Sequence, residues 1–220
     1  GEGRMPVTAD PRLQSAMDAL ALPGVAIGHR LIAPGDENAL RAEEVRGISE
    51  SVVERRRASG AARNVARELL QRLGHADCQL PRAASGAPVW PAGVIGSLAH
   101  DRRVAVAAVA DRRRIDALGI DIEPAESLPM DLLDIIATPD ERPRLGDNPI
   151  YWRLLFAAKE AVYKAVYPLD RKFLEHHDVQ IDFSRRKGTV RNGRTAELRF
   201  CISTHLIVLA FLPHRDGERA

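Results

Sequence analysis

Gly119-Ile120-Asp121-Ile122-Glu123 alternates apolar and acidic residues one for one. That period belongs to a strand, where residues two apart face the same side. Asp121 and Glu123 then point together, and Ile120 and Ile122 point into a core. Two carboxylates side by side repel each other unless a cation sits between them. Paired carboxylate oxygens suit Mg²⁺, especially where phosphates complete the shell. The same alternation also describes a solvated strand face carrying two ordinary acids, and this stretch alone leaves both readings open.

Upstream, Val104 to Ala110 is a run of small apolar residues with the look of a buried strand. Before it, Gly86-Ala87-Pro88-Val89-Trp90-Pro91 and Gly96-Ser97-Leu98-Ala99-His100 read as loop and loop-to-strand turn. Small residues there let a ligand approach the backbone closely. Ser97 can donate a hydrogen bond, and His100 can hold a phosphate when protonated; a surface or capping histidine fits the position equally. Between Ile48 and Leu73, Val52, Val53, Ala62, Val65, Ala66, Leu69 and Leu70 recur at helical spacing, and Gly74 suits the stop. Arg63 and Arg67 share a face of that helix, which suits either a phosphate or plain solvent.

Downstream, Met130 to Ile136 reads as a short helix, and Tyr151 to Tyr167 as a long one ended by Pro168. At about 100° per residue, Trp152, Leu155, Phe156, Tyr163 and Val166 make one apolar stripe. Lys159 falls near the middle of it, Glu160 at its edge, and Lys164 one turn beyond. A lysine on a buried face needs a negative partner, which a bound phosphate or an acid cluster supplies; a snorkelling lysine and a routine Glu160–Lys164 pair are the plainer alternative. Val179 to Phe183, Thr195 to Ile202 and Leu206 to Leu212 read as strands. A helix and strands in each part of the chain indicate the α+β class.

Composition limits the function. The 220 residues include 45% apolar and 28% charged side chains, as in a globular protein. With 32 basic against 30 acidic side chains the net charge is +2, which argues against a general polyanion binder. The local runs Arg55-Arg56-Arg57 and Arg112-Arg113-Arg114 matter more. Cys78 and Cys201 lie far apart without metal-ligand spacing, as buried thiols of a reducing compartment do. No run approaches the roughly 18 apolar residues of a membrane span. The start is polar, reaches Pro6 early and shows no signal peptide. These features place the protein in the cytoplasm.

The motifs in chain order are Trp90-Pro91, Gly96 to His100, Gly119 to Glu123, and Phe156-Ala157-Ala158-Lys159-Glu160-Ala161-Val162-Tyr163-Lys164-Ala165. Together they resemble the Sfp-like 4′-phosphopantetheinyl transferases, in the enterobactin-synthetase-associated branch, over roughly Ser51 to Leu169. The resemblance implies a pseudo-dimer of two similar α+β halves, residues 1–113 and 114–220, with the break near Arg112 to Asp116. Coenzyme A would bind in the cleft between them. It implies Mg²⁺ held by Asp121, Glu123 and Glu160, and catalysis by Glu160, Lys159 and Lys164. Coenzyme A phosphates would meet Arg55, Arg63, Arg82, Ser97, His100, Lys159 and Lys164. The phosphopantetheine acceptor would be a serine of an apo carrier protein or carrier domain, and the enzyme a monomer; Leu169, Arg171, Lys172, Phe173 and Leu174 after the long helix are candidates for its dock, although Phe173 and Leu174 fit a core equally. Ala87, Asp101 and Ser59-Gly60 depart from the family pattern. The rival class is a non-enzymatic module that binds coenzyme A, nucleic acid or an acidic partner, the last two through Arg55 to Arg72.

Overall fold

The computed structural model describes residues 7–46, 48 and 52–215; Ser49, Glu50 and Ser51, within the stretch expected to form the first long helix, lie outside them. Strands β1 (Val25–Leu31), β2 (Val94–His100) and β3 (Val104–Asp111) form one antiparallel sheet in the order β1-β3-β2. Strands β4 (Ile115–Pro124), β5 (Val179–Asp182), β6 (Lys187–Val190), β7 (Thr195–Ile202) and β8 (His205–Pro213) form a second, in the order β4-β8-β7-β6-β5. The helices are α1 (Pro11–Ala16), α2 (Ala42–Val45), α3 (Val53–Arg72), α4 (Met130–Ile136) and α5 (Pro149–Asp170). The chain passes between the sheets through the turn Arg112–Arg114.

Strand β3 explains the layering. Its even residues Val104, Val106, Ala108 and Ala110 join Ile120, Ile122, Ile207, Leu209 and Phe211 in a core between the two sheets. Its odd residues Ala107 and Val109 pack with Val65, Ala66, Leu69 and Leu70 of α3. Strand β8 mirrors this, with Leu206, Val208 and Ala210 packed with Ala158, Ala161, Val162 and Ala165 of α5. Both strands are therefore covered on both faces, and period 2 disappears from their hydrophobicity although the partners run antiparallel. The protein is an α+β fold of two halves, each a sheet backed by one long helix.

Two local expectations change. Residues 96–100 belong to strand β2 rather than to a turn. Gly96 hides that strand from a propensity reading, and its role is contact: a Cβ there would meet Trp90 Cζ2 at 2.5 Å. Pro168 does not end α5, which continues to Asp170 and stops at Arg171 in the left-handed region, φ 54°. The helix starts as chemistry dictates, with Asn148 Oδ1 accepting from Ile150 N at 3.0 Å and Pro149 in the first turn. Strands β1 and β6 are too short or too interrupted by Gly to stand out in the sequence.

Candidate active site

Strands β2 and β4 are the edges of their sheets and run beside each other: Ser97 Oγ on β2 accepts from Ile120 N on β4 at 3.0 Å. Helix α5 lies directly on β4 because Gly119 has no side chain. A Cβ there would meet Ala161 O at 2.1 Å and Ala165 N at 2.7 Å, so any larger residue would lift the helix. That approach sets Lys164 over the seam. Its Nζ donates to Asp121 Oδ1 at 3.1 Å, to Ile120 O at 3.1 Å and to Leu98 O at 3.2 Å. One ammonium thus joins both halves to the acid.

Asp121 is buried, and its Oδ2 has no hydrogen-bond partner. Desolvation pushes its carboxyl up to about 6, with Glu160's charge adding to the rise and Lys164 opposing it. Glu123 is pushed up to about 7 by desolvation and then by Asp121, against the pull of Arg153. The strand alternation is therefore real, but the expected three-acid ligand set is not preformed. Asp121 meets Lys164, Glu123 meets Arg153 Nη1 at 3.3 Å, and Glu160 meets His176 Nε2 at 3.3 Å. Among the described residues no three His, Cys, Asp or Glu side chains form a ready metal cage. An unpartnered buried carboxylate oxygen among mutually repelling acids still fits a divalent cation, since oxygen donors and net negative charge are what such an ion requires.

The basic side of the seam is built from His100 and Arg82. His100 stands at the exposed end of β2. Desolvation lowers its pKa from the ordinary imidazole value, and the charges of Lys164 and Arg82 lower it further. Arg82 is exposed beside it. Arg55 is exposed on the first turn of α3. Ser97 is buried, its oxygen already accepting from Ile120.

Two residues expected to meet coenzyme A phosphates, Arg63 and Lys159, point inward in this structure. Arg63 turns inward: it is 3% exposed, with Nε donating to Leu80 O at 2.9 Å and Nη1 to Ser59 Oγ at 2.7 Å. Arg67 is engaged by the buried Glu44 at 2.6 Å, and Arg57 by Glu37 at 3.1 Å. While Arg55 and Arg72 are exposed, three arginines of the basic helix, Arg57, Arg63 and Arg67, are thus engaged by the protein's own acids and carbonyls. Lys159 is likewise 2% exposed. Its Nζ donates to Glu141 Oε1 at 2.7 Å, Ile136 O at 2.8 Å and His176 O at 2.8 Å. Glu141 is the negative partner of Lys159 in this structure, and Lys159 ties the segment after α4 and the turn at His176 to α5.

Beside Glu160 opens a groove of about 620 Å³ lined by Ile135, Tyr163, Phe173 and His176 among others. Phe173 is 77% exposed at its edge, against Tyr163 at 6.1 Å between ring centroids, while Leu174 packs into the core. Arg153, Glu141, Glu44 and His176 are the site and scaffold residues that motif reading missed. Arg153 was findable, since it lies seven residues before Glu160 and eleven before Lys164, on one helical face.

The seam of the two α+β halves thus brings together carboxylates, an ammonium and an imidazole. Sequence comparison gives the family. The 4′-phosphopantetheinyl transferase N-terminal domain matches residues 43–110, and the 4′-phosphopantetheinyl transferase superfamily matches residues 117–212. The chain is 40% identical over 173 residues to 4′-phosphopantetheinyl transferase Npt of Nocardia iowensis, covering 77% of this chain and 78% of that one. It is 39% identical over 145 residues to PptT of Mycobacterium tuberculosis, 64% of each chain. It is 36% identical over 182 residues to Svp of Streptomyces mobaraensis, 79% of this chain and 74% of that one. The chain belongs to the 4′-phosphopantetheinyl transferase superfamily, whose members take coenzyme A as substrate and act on carrier proteins. Among the described residues no helix is long and apolar enough to cross a membrane.

Proposed function

We propose that this chain moves the 4′-phosphopantetheine arm of coenzyme A onto a serine of an apo carrier protein at the β2–β4 seam, with Mg²⁺ as cofactor. One observation carries the reading: the buried, unpartnered Oδ2 of Asp121 lies beside an ammonium that reaches both halves. Asp121, Glu123 and Glu160 would hold Mg²⁺, which when bound neutralises pyrophosphate charge and steadies the leaving oxygen. His100 and Arg82 hold the nucleotide phosphates, the imidazole gaining a proton as it does so. Lys164 stabilises charge that builds on the phosphoryl oxygens.

The serine Oγ attacks the β-phosphorus. The bond from that phosphorus to the bridging oxygen breaks, and 3′,5′-adenosine bisphosphate departs with the bridging oxygen. Glu160, partly exposed at the groove, takes the serine proton. Lys159 supports this arrangement from below without touching substrate. The carrier docks across the groove rim at Phe173 with Arg171 and Lys172, all exposed. The boundary between the halves falls at residue 113, and a single chain suffices, since both edges of the seam come from one chain. With its two free thiols the protein suits the cytoplasm.

Incubation with coenzyme A, Mg²⁺ and a panel of apo carrier proteins, followed by intact-mass measurement, tests this. At least one carrier should gain the mass of one phosphopantetheine. A panel that stays unmodified, while a known transferase modifies it, defeats the reading.

A further inference from the structure

At the end of the apolar core between the sheets sits a histidine–carboxylate pair that the transfer chemistry does not use. His205 Nε2 lies 2.7 Å from Asp101 Oδ2, with the two side chains 10% and 13% exposed. Asp101 belongs to the turn after β2, in the N-terminal half, and His205 opens β8, in the C-terminal half. Both ends are fixed by further bonds. Asp101 Oδ1 accepts from Arg103 N and Val104 N at 2.8 Å each, and its own N–H donates to Val104 O at 3.0 Å. His205 Nδ1 lies 3.2 Å from Thr204 Oγ1, and His205 pairs in register with Pro124 of β4.

Each partner adjoins a residue of the seam. Asp101 O lies 3.2 Å from Nδ1 of His100, its neighbour. Pro124 follows Glu123, whose own partner across the sheet is Leu206. A buried polar pair adds little net stability compared with an apolar contact of the same shape, so its use is to fix geometry. Behind it, His29 on β1 accepts from Asp10 N at 3.0 Å and keeps a buried Nδ1 without a partner. This end of the inter-sheet core is thus a polar island rather than a sliding apolar contact.

We infer that Asp101 and His205 form a positioning latch between the halves, setting His100 on β2 at a fixed distance from the acidic end of β4. The inference rests on the transferase reading, because its readout is coenzyme A recognition through His100. Neither residue touches substrate.

The test is a set of variants measured by calorimetry for coenzyme A and by steady-state kinetics for coenzyme A and carrier. His205→Ala should weaken coenzyme A binding and raise its KM about tenfold, the scale of one charge-assisted hydrogen bond, with KM for carrier unchanged. His205→Gln, which keeps a donor facing Asp101, should restore most of the affinity. In a His100→Ala background, His205→Ala should cost almost nothing further, because the latch acts through His100. Wild-type affinity in His205→Ala, or full additivity of the two losses, overturns the latch. Asp101→Asn, which keeps the turn's acceptor oxygen, gives the same reading from the other side should His205→Ala fail to fold. A wild-type protein that bound no coenzyme A would sink the transferase reading instead; wild-type binding and transfer with an unaffected His205→Ala sinks only the latch.

Discussion

Replacing Asp121 by Asn should stabilise the cation-free protein while removing its transferase activity. Folding raises this carboxyl from an ordinary 3.8 to about 6, so the folded chain holds the proton more tightly than the unfolded one. Ionising Asp121 in the fold then costs about 3 kcal/mol, a figure that already contains the attraction of Lys164. The penalty is absent below the ordinary value, grows as pH rises through it, and is complete above the folded value. Asn resembles the protonated acid, so its gain should be about 3 kcal/mol at pH 8, about half that at pH 5, and about 0.5 kcal/mol at pH 4. For a chain of this size that is roughly 6–12 °C in melting temperature at pH 8. The assay is thermal unfolding in a chelator across that pH range, repeated with Mg²⁺. Mg²⁺ should raise the wild-type midpoint at pH 8 and leave the variant unmoved. A variant less stable than wild type at pH 8, or a gain independent of pH, refutes the reasoning.

Lys159→Met should destabilise the protein by about 3–5 kcal/mol because it strands Glu141 as an unpaired buried charge, and Lys159→Met with Glu141→Leu should recover much of that in urea unfolding; wild-type stability with lost turnover would return Lys159 to the phosphate. Since the free protein holds His100 below its ordinary pKa, coenzyme A binding should take up a proton and weaken as pH rises through the ordinary imidazole range, visible as buffer-dependent binding heat that His100→Gln abolishes. Arg82→Ala should weaken coenzyme A more than 3′-dephospho-coenzyme A by titration calorimetry, whereas Arg63→Ala should show equal small losses for both and a lowered melting temperature from breaking its buried bonds.

Legibility in the sequence followed the range of the interaction. The strand period at Gly119–Glu123 and the helical faces of α3 and α5 were readable, because they depend on neighbours within a turn or a pleat. The acidic pair Asp121 and Glu123 came from the same local pattern. What could not be read was which partner each charge takes. Lys159 reaches Glu141, 18 residues away, and Arg67 reaches Glu44, 23 residues away; both acids lie outside the long helices, in segments without a period. Lys159 was rightly marked as a charge on a buried face, whereas Arg63 was read as meeting phosphate or solvent and is buried; a buried cation accepts a protein carboxylate or carbonyl as readily as a phosphate. Glycine misled in one place and informed in another: Gly96 made a strand look like a turn, while Gly119 marks the contact that brings α5 to the acids. Gly60 is a similar contact, since a Cβ there would meet Asp36 O at 2.0 Å, which accounts for the small pair Ser59-Gly60. Asp101, out of keeping with the family pattern, has its partner in His205.

The central claim is that the seam joining Lys164 to Asp121 is where phosphopantetheine changes hands. The most direct measurement follows release of 3′,5′-adenosine bisphosphate together with modification of an apo carrier that the wild-type protein accepts. Wild type with Mg²⁺ should release one bisphosphate per serine modified, and none with a carrier whose serine is replaced by alanine. Lys164→Ala and Asp121→Asn should each lower kcat by about 10²–10³ while remaining folded. Turnover near the wild-type rate in either variant, with the fold intact, would contradict the account.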